Sequence, residues 1–355
     1  MSTQTLYNKY RPKRLEDVKQ PAVVRVLLAQ LALHEFAASN LFYGTPGTGK
    51  TTLARVVAMS LLCQSDRDTP EPCGGCPSCK QVMQDAHRDV VEINCGDNGG
   101  VDDARELIGT KLRITPAYGK WRVYILDECH LLTTQAQSAL LKAIEEPPEY
   151  VKFILCTTDP QKVLPAIRSR CQQFSLGRVS DTHQRSILDK VVKEEGIVAD
   201  EAALKLIIGA AAGSARTALA ILGQLAAVGV TEDTVRDVLQ RAPRHVAQDL
   251  LNAIARQDRA EAFLCLQAAF AEGRDTIALL EECISVLMAA ARWRMKIEMS
   301  PEAELASFGP AQITAISAQL IDIIIKIRQN VPPELAAQVG ILRTIDTFAR
   351  LKANN

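Results

Sequence analysis

A chain of 355 residues is long enough for more than one core, and 47% hydrophobic with only 5% aromatic content favours helices over a sandwich or barrel. The 41 basic and 41 acidic residues cancel, which excludes a protein wrapped in nucleic acid by bulk charge but not one giving a few contacts to DNA inside a ring. The start, MSTQTLYNKYRPKRL, lacks a signal-peptide apolar stretch, and no apolar run reads as bilayer-spanning; a cytoplasmic protein with no membrane partner is expected.

In chain order, the apolar run LFY at 41–43 enters the glycine-rich GTPGTGKT at 44–51, and TTLARVVAMSLLCQ at 51–64 has apolar residues at helical spacing. A Pro/Gly/Cys-rich loop, SDRDTPEPCGGCPSC, fills 65–79. Strand-like runs follow: VVEIN at 90–94, VYILDE at 123–128 and FILCTT at 153–158, with helical stretches around 101–113 and 134–146. Alternating strands and helices predict an α/β fold with a parallel sheet and helices on both faces. VYIL is apolar on both strand faces, as a central parallel strand requires.

From about 180 the strand signal stops. Helices are expected at 181–195, 200–211, 214–228 and 231–240, then at 244–257, 259–272, 275–298, 309–329 and 333–353. The predicted plan is an α/β core at 1–179 that carries the cysteine-rich loop, a small helical lid at 180–241 and an all-helical domain at 242–355.

Gly44, Thr45, Pro46, Gly47, Thr48, Gly49, Lys50 and Thr51 form a complete P-loop between a strand and a helix. Its glycines let backbone N–H groups curl around phosphate oxygens, and the following helix, entered through Thr52, points its positive end at the anion. Lys50 is assigned to the β/γ-phosphates of ATP and the Thr51 hydroxyl to Mg²⁺. Asp127-Glu128 ends the strand VYIL. An acidic pair there is also a common helix-start signal, but downstream of a P-loop it is read as Asp127 on Mg²⁺ and Glu128 on the attacking water.

Ten cysteines without an export signal should be reduced thiols or metal ligands. Cys63, Cys73, Cys76 and Cys79 supply four thiolates within 17 residues, a closed set suited to structural Zn²⁺. Four free surface thiols would oxidise, and a redox CxxC reading leaves two ligands unused. His87 is too loosely spaced to be counted. Cys95, Cys129, Cys156, Cys171, Cys265 and Cys283 are read as small buried hydrophobes. Arg170, Arg216 and Thr158, taken singly, are ordinary surface residues.

YNKYRPKRLEDV (7–18), the P-loop, the cysteine insertion, GVDDARELI (100–108), DECHLLTTQAQSALLKAIEEPP (127–148), TTDPQKVLPAIRSRC (157–171) and GSARTALAIL (213–222) together resemble the clamp-loader branch of the AAA+ ATPases, and within it the gamma/tau family of bacterial DNA polymerase III. The resemblance implies that Arg170 is an arginine finger acting on a neighbouring subunit, Thr158 a first sensor and Arg216 a second sensor on the lid. It makes the stretch around Tyr7, Tyr10, Arg11 and Val18 the cradle of the adenine, and 242–355 an oligomerisation collar. It also implies partners: delta- and delta-prime-type subunits and further gamma/tau copies in a pentamer, a sliding clamp, and primer-template DNA. Departures are Lys19 where the family carries Gly, Cys129 where it carries an aliphatic residue, and Thr217 where Asp is usual. A tau-like tail is not expected within the 355 residues. Two other readings are a Holliday-junction or repair helicase, which the cysteine insertion disfavours, and a non-catalytic delta-prime-like scaffold, which the intact P-loop disfavours.

Overall fold

The computed structural model describes residues 5–65, 69–97, 111–239, 244–295 and 308–353. The GVDDARELI segment and most of the helix expected around 101–113 lie outside the described residues; Lys111–Arg113 forms a single 3-10 turn. The chain falls into two compact units, Met1–Gly229 and Val230–Asn355.

The first unit is built on a parallel sheet of β1 (Ser39–Tyr43), β2 (Val90–Asn94), β3 (Arg122–Asp127), β4 (Val151–Thr157) and β5 (Gln172–Ser175), in the order β2-β3-β4-β1-β5. β3 and β4 are buried on both faces up to Asp127, so their apolar residues need no alternation. β5 was not expected. It is a four-residue edge strand in which only Phe174 is buried, too short and polar to show a pattern. In register, Leu41 of β1 opposes Leu155 of β4, and Ile125 of β3 opposes Ile154. The carboxyl ends of β1, β4 and β3 therefore lie side by side, the position where open α/β sheets bind ligands.

Helices cover the sheet. α1 (Leu6–Lys9) and α2 (Pro21–Ala32) precede it, α2 starting with Pro at its first turn and burying Val24, Leu27 and Leu31. α3 (Lys50–Leu62) buries Leu53, Val56, Val57 and Met59 against the strands, and α4 (Pro77–Met83) packs beside it. α5 (Thr134–Glu145) starts where the Thr133 hydroxyl accepts from Ala136 N–H, and α6 (Pro165–Arg170) leads into β5. The lid consists of α7 (Asp181–Glu195), α8 (Glu201–Ala211) and α9 (Ala215–Leu225). Gly196 ends α7 in the left-handed conformation.

The second unit is helical: α10 (Glu232–Val238), α11 (Arg244–Arg256), α12 (Arg259–Ala271), α13 (Thr276–Arg294), α14 (Pro310–Arg328) and α15 (Pro333–Ala353). Its core includes Leu250, Leu280, Leu287, Phe308, Leu320, Ile341 and Phe348. α10 groups with this unit, whereas the lid was expected to run to 241. Val235 is buried, and Arg236 reaches Glu282 of α13 at 3.4 Å. A second expectation is corrected: α14 is long and apolar enough to cross a bilayer. Its Ile313, Ile316, Leu320 and Ile323 belong to the unit's core, which accounts for the apolar run.

Candidate active site

The P-loop leaves β1 at Tyr43 and enters α3 at Lys50, and two glycines allow close approach. A Cβ on Gly44 would meet the Leu176 carbonyl oxygen at 2.2 Å; Gly47 has φ +75°, and a Cβ there would meet the hydroxyl of Ser214 at 2.0 Å. Ser214 caps α9 by accepting from Thr217 N–H, so the phosphate loop touches the start of a lid helix. Lys50 is buried, and its ammonium donates to the carbonyls of Gly44 (3.0 Å) and Thr45 (3.2 Å). Burial pulls its pKa below the ordinary lysine value, opposed by Glu128 and Asp127. The Thr51 hydroxyl donates to Asp127 Oδ2 at 2.8 Å, bringing together a hydroxyl and a carboxylate, the oxygen donors a hard cation takes.

Glu128 follows β3 in the left-handed conformation, φ 48° and ψ 46°, a backbone state that a non-glycine residue holds only where its surroundings fix it. Its Oε2 accepts from Thr158 N–H (3.1 Å) and the Thr158 hydroxyl (3.0 Å), and His130 Nδ1 lies 3.3 Å away. His130 also meets the Thr157 hydroxyl at 3.1 Å. The ends of β3 and β4 are thus tied through one carboxylate.

A cavity of about 610 Å³ opens from the P-loop toward the lid. Gly47, Lys50, Thr51, Thr52, Asp127 and Glu128 line it, and Val18, Ile187 and Val191 add apolar surface. Tyr7, Tyr10, Arg11 and Arg216 also line it. The Arg216 guanidinium stacks 5.0 Å from the Tyr7 ring. The Tyr10 hydroxyl donates to Glu195 of α7, which also pairs with Lys9 at 2.6 Å, so the amino-terminal segment is tied to the lid.

The four cysteines converge beside α3 and α4. Their Sγ atoms all lie within 4.8 Å of one another, against S···S edges of about 3.8 Å around a zinc held at about 2.3 Å. Cys76 N–H and Gly75 N–H donate to Cys73 Sγ, holding that thiol down at about 6. Burial pushes the Cys79 thiol up. Soft donors, near-tetrahedral spacing and N–H···S bonds to Cys63, Cys73 and Cys76 fit a zinc ion.

Residues 19–180 match the family described as DNA polymerase III, delta subunit, and residues 185–231 match the DNA polymerase III clamp loader subunit, ATPase lid domain. DNA polymerase III subunit gamma of Buchnera aphidicola is 33% identical over 75% of this chain and 73% of its own length. The chain belongs to the DNA polymerase III gamma/tau clamp-loader family. The tau subunit of Escherichia coli is 36% identical over 85% of this chain but only 47% of its own length. The chain thus spans about half the length of that longer relative. Among solved structures, the RuvB Holliday junction branch migration motor of Thermotoga maritima is 21% identical, covering 69% of this chain and 79% of that one with a TM-score of 0.47.

Within this gamma/tau-family chain, the fold brings Lys50, Thr51, Asp127, Glu128 and Thr158 to one strand-end cluster and sets Arg216 on the cavity wall. Arg170 lies apart. It ends α6, exposed, bonded to the Ala166 carbonyl (3.0 Å) and to Glu145 (3.1 Å). His87 stays outside the cysteine cluster: its Nδ1 accepts from Asp89 N–H, so Nε2 carries the proton and donates to Ser78. Of the six scattered cysteines five are buried and Cys265 is half-buried. Sequence reasoning missed His130, whose place two residues after Glu128 was the available signal, and the cavity-lining Ser186, Lys190 and Glu194 of α7, for which there was none.

Proposed function

We propose that the chain is the ATP-hydrolysing motor of a clamp loader, which opens a sliding clamp and places it on primer-template DNA. It would act in the cytoplasm, in a pentamer with delta- and delta-prime-type subunits and further gamma/tau copies. The observation that carries this reading is the contact of Thr51 with Asp127 at the P-loop, beside a Glu128 docked on Thr158.

ATP lies with its phosphates on the P-loop and its base toward Val18, Tyr7, Tyr10 and Arg11. Thr51 and Asp127 hold Mg²⁺, which when bound neutralises and orients the β- and γ-phosphate oxygens. Lys50 exchanges its two carbonyl partners for phosphate oxygens. Thr158 holds Glu128 by Oε2, leaving Oε1 to orient the attacking water and take up its proton. Arg216 adds positive charge from the lid, and Arg170, turned away from its own cavity, serves the next subunit's γ-phosphate. Cys63, Cys73, Cys76 and Cys79 hold a structural Zn²⁺.

A second reading, a non-catalytic delta-prime-like scaffold, is favoured by the delta-subunit family match over 19–180. Titration with a fluorescent ATP analogue and Mg²⁺, followed by clamp capture with and without ATP, separates the two. The motor reading expects saturable binding that Lys50→Ala abolishes and clamp capture that requires ATP. Clamp capture indifferent to nucleotide supports the scaffold.

A further inference from the structure

The cysteine module and the cavity are joined by one side chain that neither the P-loop nor the metal site explains. Glu71 lies between Pro70 and Pro72, two residues before Cys73, and is buried. Its Oε2 accepts from Leu15 N–H at 2.8 Å and its Oε1 from Glu16 N–H at 3.0 Å. These two amides open a turn in which Asp17 N–H donates to Arg14 O, Val18 N–H to Leu15 O and Gln20 N–H to Val18 O. The next three residues, Asp17, Val18 and Lys19, line the cavity.

We propose that Glu71 is a positioning residue for the bound nucleotide: carried by the cysteine module, it fixes the Leu15–Glu16 backbone and so sets the cavity wall of Asp17, Val18 and Lys19 against the base. The inference rests on the nucleotide-site reading above. Each carboxylate oxygen meets a different amide, so the pair fixes both the height and the twist of the turn. The flanking prolines restrict the backbone that carries the carboxylate. Its attachment to the unit runs through Cys73, whose N–H donates to Cys63 Sγ at the end of α3 and whose Sγ approaches that of Cys79 on α4 at 4.0 Å. The module therefore acts on nucleotide affinity through the wall that meets the base.

This location gives a test that a general loss of stability would not mimic. Inorganic tripolyphosphate reports on the P-loop alone, whereas MgATP reports on the P-loop and the base wall together. In the full chain, Glu71→Ala should weaken MgATP binding about tenfold, the effect of losing one to two charge-assisted hydrogen bonds, with tripolyphosphate affinity unchanged. Glu71→Gln, which keeps one acceptor oxygen, should fall between Ala and the parent. Stripping metal from the parent with a chelator should reproduce the selective loss, and stripping it from Glu71→Ala should add nothing further to it. Overturning results are an Ala variant that binds both ligands as the parent does, or one that loses both in equal proportion. A parent chain that prefers MgATP to tripolyphosphate not at all would bring down the nucleotide-site reading itself, and the inference with it.

Discussion

Lys50 carries the most exacting demand of any residue in the site, because it must stay charged while buried. With its pKa pulled below the ordinary lysine value by burial, the phosphate-binding form is the protonated one. Nucleotide affinity should be flat near neutrality and fall as pH rises, starting below the usual lysine range of about 10.4; a titration of affinity against pH that stays level through that range would contradict the assignment. Glu128→Gln should bind MgATP with near-parental affinity and hydrolyse it about 10²–10⁴-fold more slowly, since orienting water is needed only for chemistry. Single-turnover rates in the assembly check this, and near-parental turnover would move the role elsewhere. Lys50, Thr51, Asp127 and Glu128 were legible in the sequence because their chemistry requires those residue types at those positions after a strand. His130 was not, because its contact with Glu128 depends on the left-handed backbone at Glu128. Glu71 was equally hidden: its partners are backbone amides 55 and 56 positions away, and backbone amides leave no mark in a sequence.

Among the elements, the cysteine module shows how ligand spacing is read more reliably than packing. Four thiols in 17 residues predicted the cluster, and the structure brings them within 4.8 Å. Anaerobically purified protein should hold one zinc for each chain, measured by metal analysis, and Cys76→Ser should lose it; metal-free protein with an ordered loop would argue against the site. Helix positions from 181 onward were readable because amphipathic spacing and Gly or Pro boundaries agree there. β5 was not, since only Phe174 of its four residues faces the core. The grouping of α10 with the second unit was also hidden, because contacts such as Arg236 with Glu282, both less than a tenth exposed, join segments far apart in the sequence. Arg236 keeps Glu232 at 3.0 Å when Glu282 is lost, so no charge is stranded and Glu282→Ala should cost about 1–2 kcal/mol, less than breaking an isolated buried pair. Denaturant unfolding of the chain reads that loss directly, and a shift under about 1 kcal/mol would mean that solvent screens the pair.

At the scale of the whole molecule, the exposed Arg170, held by Glu145 on its own surface, is proposed to act on a neighbouring subunit. Mixing Arg170→Ala subunits, whose sites are intact, with Lys50→Ala subunits, whose fingers are intact, should create interfaces that pair one with the other. Partial recovery of hydrolysis is expected; no recovery in mixed assemblies of verified composition would assign Arg170 to its own subunit. More broadly, the chain is proposed to be a P-loop motor whose hydrolysis serves clamp loading. The most direct test of that proposal is the ATPase rate of the reconstituted assembly, measured alone, with clamp, and with clamp plus primed DNA. Slow turnover alone is expected, with a rise of at least about tenfold only when clamp and primed DNA are both present, abolished by Lys50→Ala. A rate that is the same in all three conditions, or that responds to four-way junction DNA and not to the clamp, would contradict it.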